Sequence, residues 1–396
     1  PEAVHEAFEQ LQTGRPRPVH IEIPPETLSD TADIELLEAG KYERPAASKE
    51  SISRGIDLIS NAKNPLIWAG GGVISGEASK ELTSLAEFLQ APVIATGEGR
   101  GAISDRSYLS IGSFRFKNDT FFENKIQDYD LVVAVGTRLL NNQQLTGQKV
   151  LQIDIDDEEI GRNYDNTEGI NGDAKKTLTE ILNGLKSVMP PRESREEELT
   201  KIKAERFNPG TVIEPQESFT KVIRSVMPDD GIFISGMTQI GYYSRNKFEV
   251  YEPRTYITSS YYGNLGYAYP TALGAKVAQP DKAVVAVCGD GGFMFNVQEL
   301  ATAAKHHINV VAVVFNDSAY GNVMRDQVNM FDGREYGAEV HNPDFMKLAE
   351  AFGVRGVRVE GGAPELGKAV KESLGIEAPT LIEVPVGPMP NPFRDY

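Results

Sequence analysis

Short apolar runs alternate with amphipathic segments along most of the chain. Runs such as LVVAV, AVVAVC and NVVAVVF are rich in valine and continuously apolar, as in strands that are buried on both faces of a parallel sheet. Segments such as SISRGIDLISNA and NVQELATAAKHH instead place apolar residues at helical spacing, which is typical of a helix with one buried face. The alternation predicts an α/β fold with two doubly wound parallel-sheet domains.

The pattern also divides the chain into segments. The opening helix AVHEAFEQLQTG and the short strand VHIEIP predict one αβ unit, which with a proline-containing linker occupies residues 1–47. A central Rossmann-like domain is predicted for residues 48–190. Residues 191–210 are highly charged and predict a solvated connecting helix. A second α/β alternation predicts another domain in residues 211–396.

Composition excludes several classes of protein. The chain of 396 residues is 40% hydrophobic and 24% charged, and no apolar run approaches the roughly 20 residues that span a bilayer. We therefore expect a soluble protein without a membrane partner. A formal net charge of -17 repels the phosphate backbone, so we expect no nucleic acid partner. The single cysteine, Cys288, and the absence of a signal-peptide pattern predict a reducing compartment, the cytoplasm.

Two polar motifs stand at the ends of neighbouring apolar runs. Gly289–Gly292, GDGG, follow AVVAVC, and Asn316 and Asp317 end VVAVVF. Separately, GDGG is explained by a tight turn and the Asn-Asp pair by a helix cap. Together, at opposite ends of one αβ unit, they indicate a cradle in which glycine N–H groups approach a diphosphate and Mg²⁺ joins carboxylates to it.

These motifs carry a resemblance to a known family. The stretch from GDGG through VQELATAAKHHINVVAVVFND to AYGN resembles the diphosphate-binding motif of thiamine diphosphate enzymes, and SYYGNLGYAYPTALGAKVA is similar to the segment before it. The chain resembles the acetolactate synthase group of decarboxylases and carboligases over nearly its whole length. The resemblance implies a pyrimidine-binding remnant, a central domain and a pyrophosphate-binding domain. It also implies a lyase or transferase that uses thiamine diphosphate and Mg²⁺ on a small 2-keto acid such as pyruvate or glyoxylate.

The resemblance implies roles for particular residues. Asp290 and Asp317 would be side-chain ligands of Mg²⁺, and Ala319 would give its backbone carbonyl. The family more often has asparagine at the second of these positions, which leaves the metal preference open. Leu265 occupies the place of the apolar residue that holds the cofactor bent. The other residues implied in cofactor binding are Thr238, Gln239, Gly289, Gly291, Gly292, Phe293, Tyr320 and Gly321.

The activating group is expected outside this sequence. In the family a glutamate bonded to the pyrimidine ring drives the internal proton transfer, and it lies early in the pyrimidine-binding domain. We expect this glutamate upstream of Pro1, so that the present chain would be an inactive fragment. The family binds its cofactor between two subunits, and a homodimer or homotetramer is therefore implied.

The central domain has two motifs of its own. WAGGGVIS predicts a strand-to-helix glycine turn, and IDIDDEE places carboxylates where an adenosine ribose would bind. The resemblance allows FAD, ADP or no nucleotide here, but Leu140, Asn141 and Asn142 stand where acidic and arginine residues usually occur, which disfavours FAD. We interpret the acidic cluster Asp154–Glu159 as an acid-rich first helical turn rather than a second metal site.

Alternatives remain open at this point. The chain is also compatible with a non-catalytic relative that binds a nucleotide or cofactor, and with an acyl-CoA decarboxylase of the same cofactor class. Cys288 is interpreted as a core residue, and His306 with His307 as an exposed helix end. The tyrosines in SYYGNLGYAYP, at 261, 262, 267 and 269, either line a substrate channel or pack on the sheet.

Overall fold

The structure is a computed structural model that describes residues 1–114, 119–140 and 145–393. The chain forms two compact units, Pro1–Ala91 with Gln127–Arg192, and Pro92–Ile126 with Glu193–Tyr396. Within the described ranges, no helix has both the length and the apolar character that crossing a bilayer requires.

The strands are short, and those at the centre of each sheet coincide with apolar runs. In chain order they are β1 Pro65–Ala69, β2 Val93–Ala95, β3 Ser110–Ser113, β4 Leu131–Val135, β5 Lys149–Asp154, β6 Thr167–Asn171, β7 Ile232–Ser235, β8 Tyr256–Ile257, β9 Val284–Gly289, β10 Val311–Asn316, β11 Arg355–Arg358 and β12 Thr380–Pro385.

The helices lie between the strands. In chain order they are α1 Glu2–Gln12, α2 Pro25–Ser29, α3 Lys49–Asn61, α4 Gly71–Ser75, α5 Ser79–Leu89, α6 Thr120–Lys125, α7 Ala174–Val188, α8 Glu196–Arg206, α9 Gln216–Val226, α10 Gln239–Lys247, α11 Ala268–Ala278, α12 Asp290–Met294, α13 Glu299–His306, α14 Gly321–Met330, α15 Phe345–Phe352 and α16 Gly362–Leu374.

The strands form two six-stranded parallel sheets, which confirms the predicted fold class. Their orders are β3-β2-β1-β4-β5-β6 and β11-β12-β10-β9-β7-β8. In the second sheet, β9 and β10 are central and apolar on both faces, because Val284 and Ala286 contribute to one core cluster while Val285 and Val287 contribute to the other. Burial on both faces explains why these strands read as continuous apolar runs.

Strand order in the second sheet determines where a ligand can bind. From β7 the chain continues to β8 on one side of the sheet, and from β9 it continues to β10 on the opposite side. Such a reversal opens a crevice at the carboxyl ends of the two strands. The pairing of β9 with β10 aligns Gly289 with Phe315, so the residues that follow, Asp290 and Asn316, emerge side by side.

Two local predictions need correction. The strand predicted for VHIEIP is wrong: residues 18–24 form no strand, because no neighbouring strand in the described chain supplies ladder hydrogen bonds, and Ile21 and Ile23 are exposed. The charged connecting helix does form as α8, but it is not fully solvated. Leu199 and Arg206 are buried in it, and Arg206 donates two hydrogen bonds to the carboxylate of Asp119.

Candidate cofactor and metal centre

Four of the predicted cofactor residues line a crevice at the carboxyl ends of β7 and β9: Leu265, Gly289, Gly292 and Phe293. Its lining combines the loop after β7, the segment before α11 and the first turn of α12. Glycine backbone forms much of the wall, and the side chain of Leu265 contributes an apolar surface. The lining residues are Gly236, Met237, Leu265, Gly266, Tyr267, Ala268, Tyr269, Cys288, Gly289, Gly292 and Phe293.

Two carboxylates lie together beside this crevice. Asp290 begins α12 directly after β9 and is 1% exposed, and Asp317 follows β10. Burial raises the pKa of Asp290, although hydrogen bonds from Asn342 and from the backbone of Gly291 and Ser318 oppose the rise. Burial, and then the charge of Asp290, raises the pKa of Asp317 to about 6. An acid whose ionisation is disfavoured by a neighbouring carboxylate is suited to share a cation with it.

Asn342 holds the first of these acids, and the sequence analysis did not single it out. Its Nδ2 donates to Asp290 Oδ2 over 2.6 Å and to Asn316 Oδ1 over 2.9 Å. Asn316 in turn donates to Glu383 Oε1 over 2.8 Å, and Arg358 pairs with the same carboxylate. The network fixes the Asp290 carboxylate through side chains on four separate segments. Asn342 lies in a loop before α15, so no strand-end pattern marks it.

The first two glycines of the cradle that were predicted to bind the cofactor lie against side chains from other segments. A Cβ on Gly291 would lie 2.5 Å from Cε1 of Tyr320, which leaves no room for a side chain there. A Cβ on Gly289 would lie 3.4 Å from Oγ1 of Thr238, within ordinary contact distance. The structure therefore brings the residues predicted after β7, β9 and β10 to one place.

The remaining cradle residues meet in the same way. A Cβ on Gly292 would lie 3.6 Å from Cδ2 of Leu265, and one on Gly321 would lie 2.9 Å from Oδ2 of Asp317. The backbone N–H of Ala319 donates to Oδ1 of Asp317 over 3.3 Å, so this turn is folded around the carboxylate. A side chain at position 321 would therefore be too close to the carboxylate of Asp317, a predicted metal ligand. The backbone angle of Gly321 does not itself require glycine.

Aromatic residues near the crevice have different surroundings. The rings of Phe293 and Tyr269 pack edge to face in the core, so Phe293 has only backbone groups to offer a ligand. Tyr267 is partly buried and its hydroxyl donates to the carbonyl of Ser235. Tyr261 and Tyr262 are exposed at 69% and 92%. Packing therefore accounts for the inner pair of tyrosines, whereas the outer pair is exposed to solvent.

Other singled-out residues have structural explanations. Cys288 is buried in the core, and burial raises the pKa of its thiol to about 12, as expected for an inert side chain. His306 and His307 lie at the exposed end of α13.

The glycine turn of the central domain is explained by backbone packing. A Cβ on Gly70 would lie 2.1 Å from the carbonyl oxygen of Gly136. A Cβ on Gly72 would lie 2.5 Å from the Cα of Gly136. Two acids of the cluster after β5 form ion pairs within the first unit, Arg15 with Glu159 at 2.9 Å and Arg17 with Asp156 at 2.7 Å. Asn141 and Asn142, on which the expectation about FAD depends, lie outside the described residues.

Conventional metal clusters are not found. Across the described ranges, no group of three or more His, Cys, Asp or Glu side chains is placed to hold a metal ion. Asp290 and Asp317 are only two carboxylates, a number that proteins commonly use for Mg²⁺ when substrate phosphate and water complete its shell.

Comparison with known proteins gives the same assignment for both domains. The family model for the thiamine pyrophosphate enzyme central domain matches residues 52–181, and the model for the C-terminal TPP binding domain matches residues 236–384. The second match contains every predicted cofactor and metal residue.

Whole proteins align over almost the full chain. A probable acetolactate synthase large subunit of Methanococcus aeolicus is 32% identical over 98% of this chain and 70% of its own length. The acetolactate synthase large subunit of Corynebacterium glutamicum is 31% identical over 98% of this chain and 65% of its own. A probable 2-ketoarginine decarboxylase of Pseudomonas aeruginosa is 29% identical over 97% and 69%. The chain belongs to the thiamine pyrophosphate enzyme family, with acetolactate synthase large subunits among its homologues.

Proposed function

We propose that this chain binds thiamine diphosphate through Mg²⁺ and serves an enzyme that decarboxylates or joins small 2-keto acids. The observation that carries the proposal is the pair Asp290 and Asp317, two carboxylates held together at the ends of adjacent strands beside a glycine-lined crevice. A cation between them would relieve their repulsion and would attract a diphosphate to the same place.

Different residues of the chain would bind the cation, the diphosphate and the apolar part of the cofactor. Asp290, Asp317 and the carbonyl of Ala319 would hold the cation, and the backbone at Gly289–Gly292 would approach the diphosphate oxygens. Leu265 would support the cofactor from its apolar side. When bound, thiamine diphosphate supplies a nucleophilic carbon and an electron sink for decarboxylation. The activating glutamate is assigned to no residue of this sequence.

The substrate class follows from two kinds of support. The relatives named above are acetolactate synthases and a 2-ketoarginine decarboxylase, and the latter name specifies a 2-keto acid. Leu265 lines the crevice and is 37% exposed, which supports access for a small molecule. A homodimer or homotetramer in the cytoplasm belongs to the same proposal, on the basis of the family resemblance and the single buried thiol.

Calorimetric titration tests the binding step directly. We expect thiamine diphosphate to bind in the presence of Mg²⁺ and to lose most of its affinity when EDTA removes the metal. Thiamine without the diphosphate is the matched ligand, and it should bind far more weakly. Equal affinity for both ligands, or binding that EDTA leaves unchanged, would contradict the proposed cradle. Release of carbon dioxide from pyruvate by the whole protein then tests the reaction class.

A further inference from the structure

Arg325 on α14 is a partly buried cation with only neutral partners. Its Nη1 donates to Oε1 of Gln239 over 3.0 Å, and its Nη2 donates to Oδ1 of Asn322. Burial lowers the pKa of the guanidinium, while the neighbouring Asp326 and Tyr242 act in the opposite direction. These two hydrogen bonds use two of the five N–H donors that an arginine carries.

Buried arginines in the same unit differ in their partners: Arg224 donates to the backbone carbonyls of Met227 and Pro228, whereas two others have acidic partners. Arg206 pairs with Asp119 at 2.8 Å, and Arg100 pairs with Asp105 at 3.4 Å. Arg325 makes no ion pair within 4 Å among the residues that the structure describes. Partial removal of a cation from water without a counter-charge is unfavourable, and it is usually offset by a partner. A ligand anion would supply the ion-pair partner that Arg325 lacks among these residues.

The position of Arg325 connects it to the cradle through Gln239. Gln239 is 7% exposed, and a Cβ on Gly321 would lie 3.5 Å from its Nε2 and 2.9 Å from Oδ2 of Asp317. Because Arg325 holds the amide oxygen of Gln239, the amide nitrogen is directed to the cradle side. Arg325 thus orients one predicted cofactor residue and places positive charge near the others.

We propose that Arg325 recognises an oxyanion at this site, either the diphosphate of the cofactor or the carboxylate of a 2-keto acid. The planar guanidinium matches both groups, since each presents paired oxygens to its N–H donors. The inference rests on the proposed function for the identity of these two ligands. In a chain of net charge -17, the positive charge of Arg325 would favour the approach of either anion, in addition to any bound Mg²⁺.

The test compares Arg325→Gln and Arg325→Lys with the wild type by calorimetry. Three probes are titrated separately: inorganic diphosphate with Mg²⁺, thiamine diphosphate with Mg²⁺, and pyruvate in the presence of the bound cofactor. Arg334→Gln is the matched control, because Arg334 lies in the segment after α14 and is 76% exposed. Melting temperatures show whether each variant folds.

Loss of a charge-assisted hydrogen bond predicts that Arg325→Gln weakens binding of one anion by roughly tenfold to a hundredfold. Arg325→Lys should recover part of the loss, because it keeps the charge without the planar fork. Weaker diphosphate binding assigns Arg325 to the cofactor, and weaker pyruvate binding alone assigns it to the substrate. Unchanged affinity for every probe, or an equal loss in Arg334→Gln, overturns the inference.

The outcome is separable from that of the proposed function. If the wild type binds inorganic diphosphate in an Arg325-dependent way but does not bind thiamine diphosphate, the cofactor proposal fails and the oxyanion site stands. If thiamine diphosphate and pyruvate bind and the Arg325 variants match the wild type, the cofactor proposal stands and the role of Arg325 fails.

Discussion

The side-chain amide of Asn342 donates a 2.6 Å hydrogen bond to the carboxylate of Asp290, and the same nitrogen bonds Asn316 at 2.9 Å. Asp290 is thereby held from the loop before α15 as well as from its own helix. Carboxylates that bind metal ions depend on such partners for their orientation. The relationship links a residue without any sequence signature to a predicted ligand of Mg²⁺.

Replacement of Asn342 by alanine should weaken Mg²⁺ binding. Loss of a group that orients a metal ligand typically costs about 10- to 100-fold in metal affinity, and we expect that range in a Mg²⁺ titration at fixed thiamine diphosphate. Asn163→Ala is the control, because Asn163 makes a comparable 2.8 Å bond to the carbonyl of Arg138 in the first unit. Equal Mg²⁺ affinity in both variants would show that Asp290 needs no such support.

Replacement of Asp317 by asparagine should remove a pH dependence of stability. The folded-state pKa of Asp317, about 6, is above its usual value. Without divalent metal, the free energy of unfolding should therefore fall as pH rises from 4 to 6, by about 1 to 2 kcal/mol after allowance for solvent screening. Asp317→Asn should lack this fall and should still bind Mg²⁺. Chemical unfolding across that pH range measures the difference.

The exposed carboxylate of Asp230 provides the control for that experiment. Asp230→Asn should leave the fall between pH 4 and 6 in place. If Asp317→Asn and the wild type have the same pH profile, the coupling between Asp317 and Asp290 is weaker than the structure indicates.

Much of the second domain was predictable because its strands are buried on both faces. β9 and β10 are continuous apolar runs, and the polar residues at their ends stand out against them. β6 and β11, TEGIN and RGVR, were not predicted because edge strands with polar residues lack that signal. The helices α7 and α16 also formed in segments for which no helix was predicted.

Some residues of the candidate site could be predicted from the sequence and others could not. Asp290 and Asp317 follow strands, so parallel strand order alone predicts that they meet. Asn342, Glu383 and Arg325 reach the site through side chains whose partners are distant in sequence. Their roles depend on tertiary packing, which the local pattern of apolar and polar residues does not reveal.

Replacement of Gly291 by alanine should disturb cofactor binding through Tyr320. The new Cβ would lie 2.5 Å from the ring, so the tyrosine must move away from the cradle. We expect weaker binding of thiamine diphosphate by roughly tenfold, equivalent to about 1.4 kcal/mol. Gly274→Ala is the control, because Gly274 is exposed in α11 with no atom near its Cβ position. That variant should be more stable by about 0.5 to 1 kcal/mol and should bind normally.

The thiol of Cys288 should resist alkylation in the folded protein. Burial raises its pKa to about 12, so almost no thiolate exists at pH 8. Iodoacetamide should add no mass to the native protein during a reaction time that is long enough to modify the single cysteine of the denatured protein. The raised pKa also predicts that stability, complete below pH 9, is lost progressively as pH rises toward 12. Rapid native alkylation would place Cys288 outside the core.

Removing one member of the buried ion pair between Arg206 and Asp119 should lower the free energy of unfolding more than removing both charges does. Their side chains are 5% and 2% exposed and lie 2.8 Å apart. Arg206→Met removes the guanidinium that pairs with the buried carboxylate of Asp119, which should lower the free energy of unfolding by about 3 to 5 kcal/mol.

The double variant Asp119→Asn with Arg206→Met removes both charges. It also keeps an acceptor for the N–H of Phe122 at the start of α6, a bond that Asp119 now makes over 3.1 Å. We expect it to be more stable than Arg206→Met alone in urea unfolding. Lys125→Ala, which breaks a half-exposed pair with Glu205, should cost less than about 1 kcal/mol. If the double variant is as unstable as the single one, packing of the Arg206 side chain rather than its charge stabilises this region.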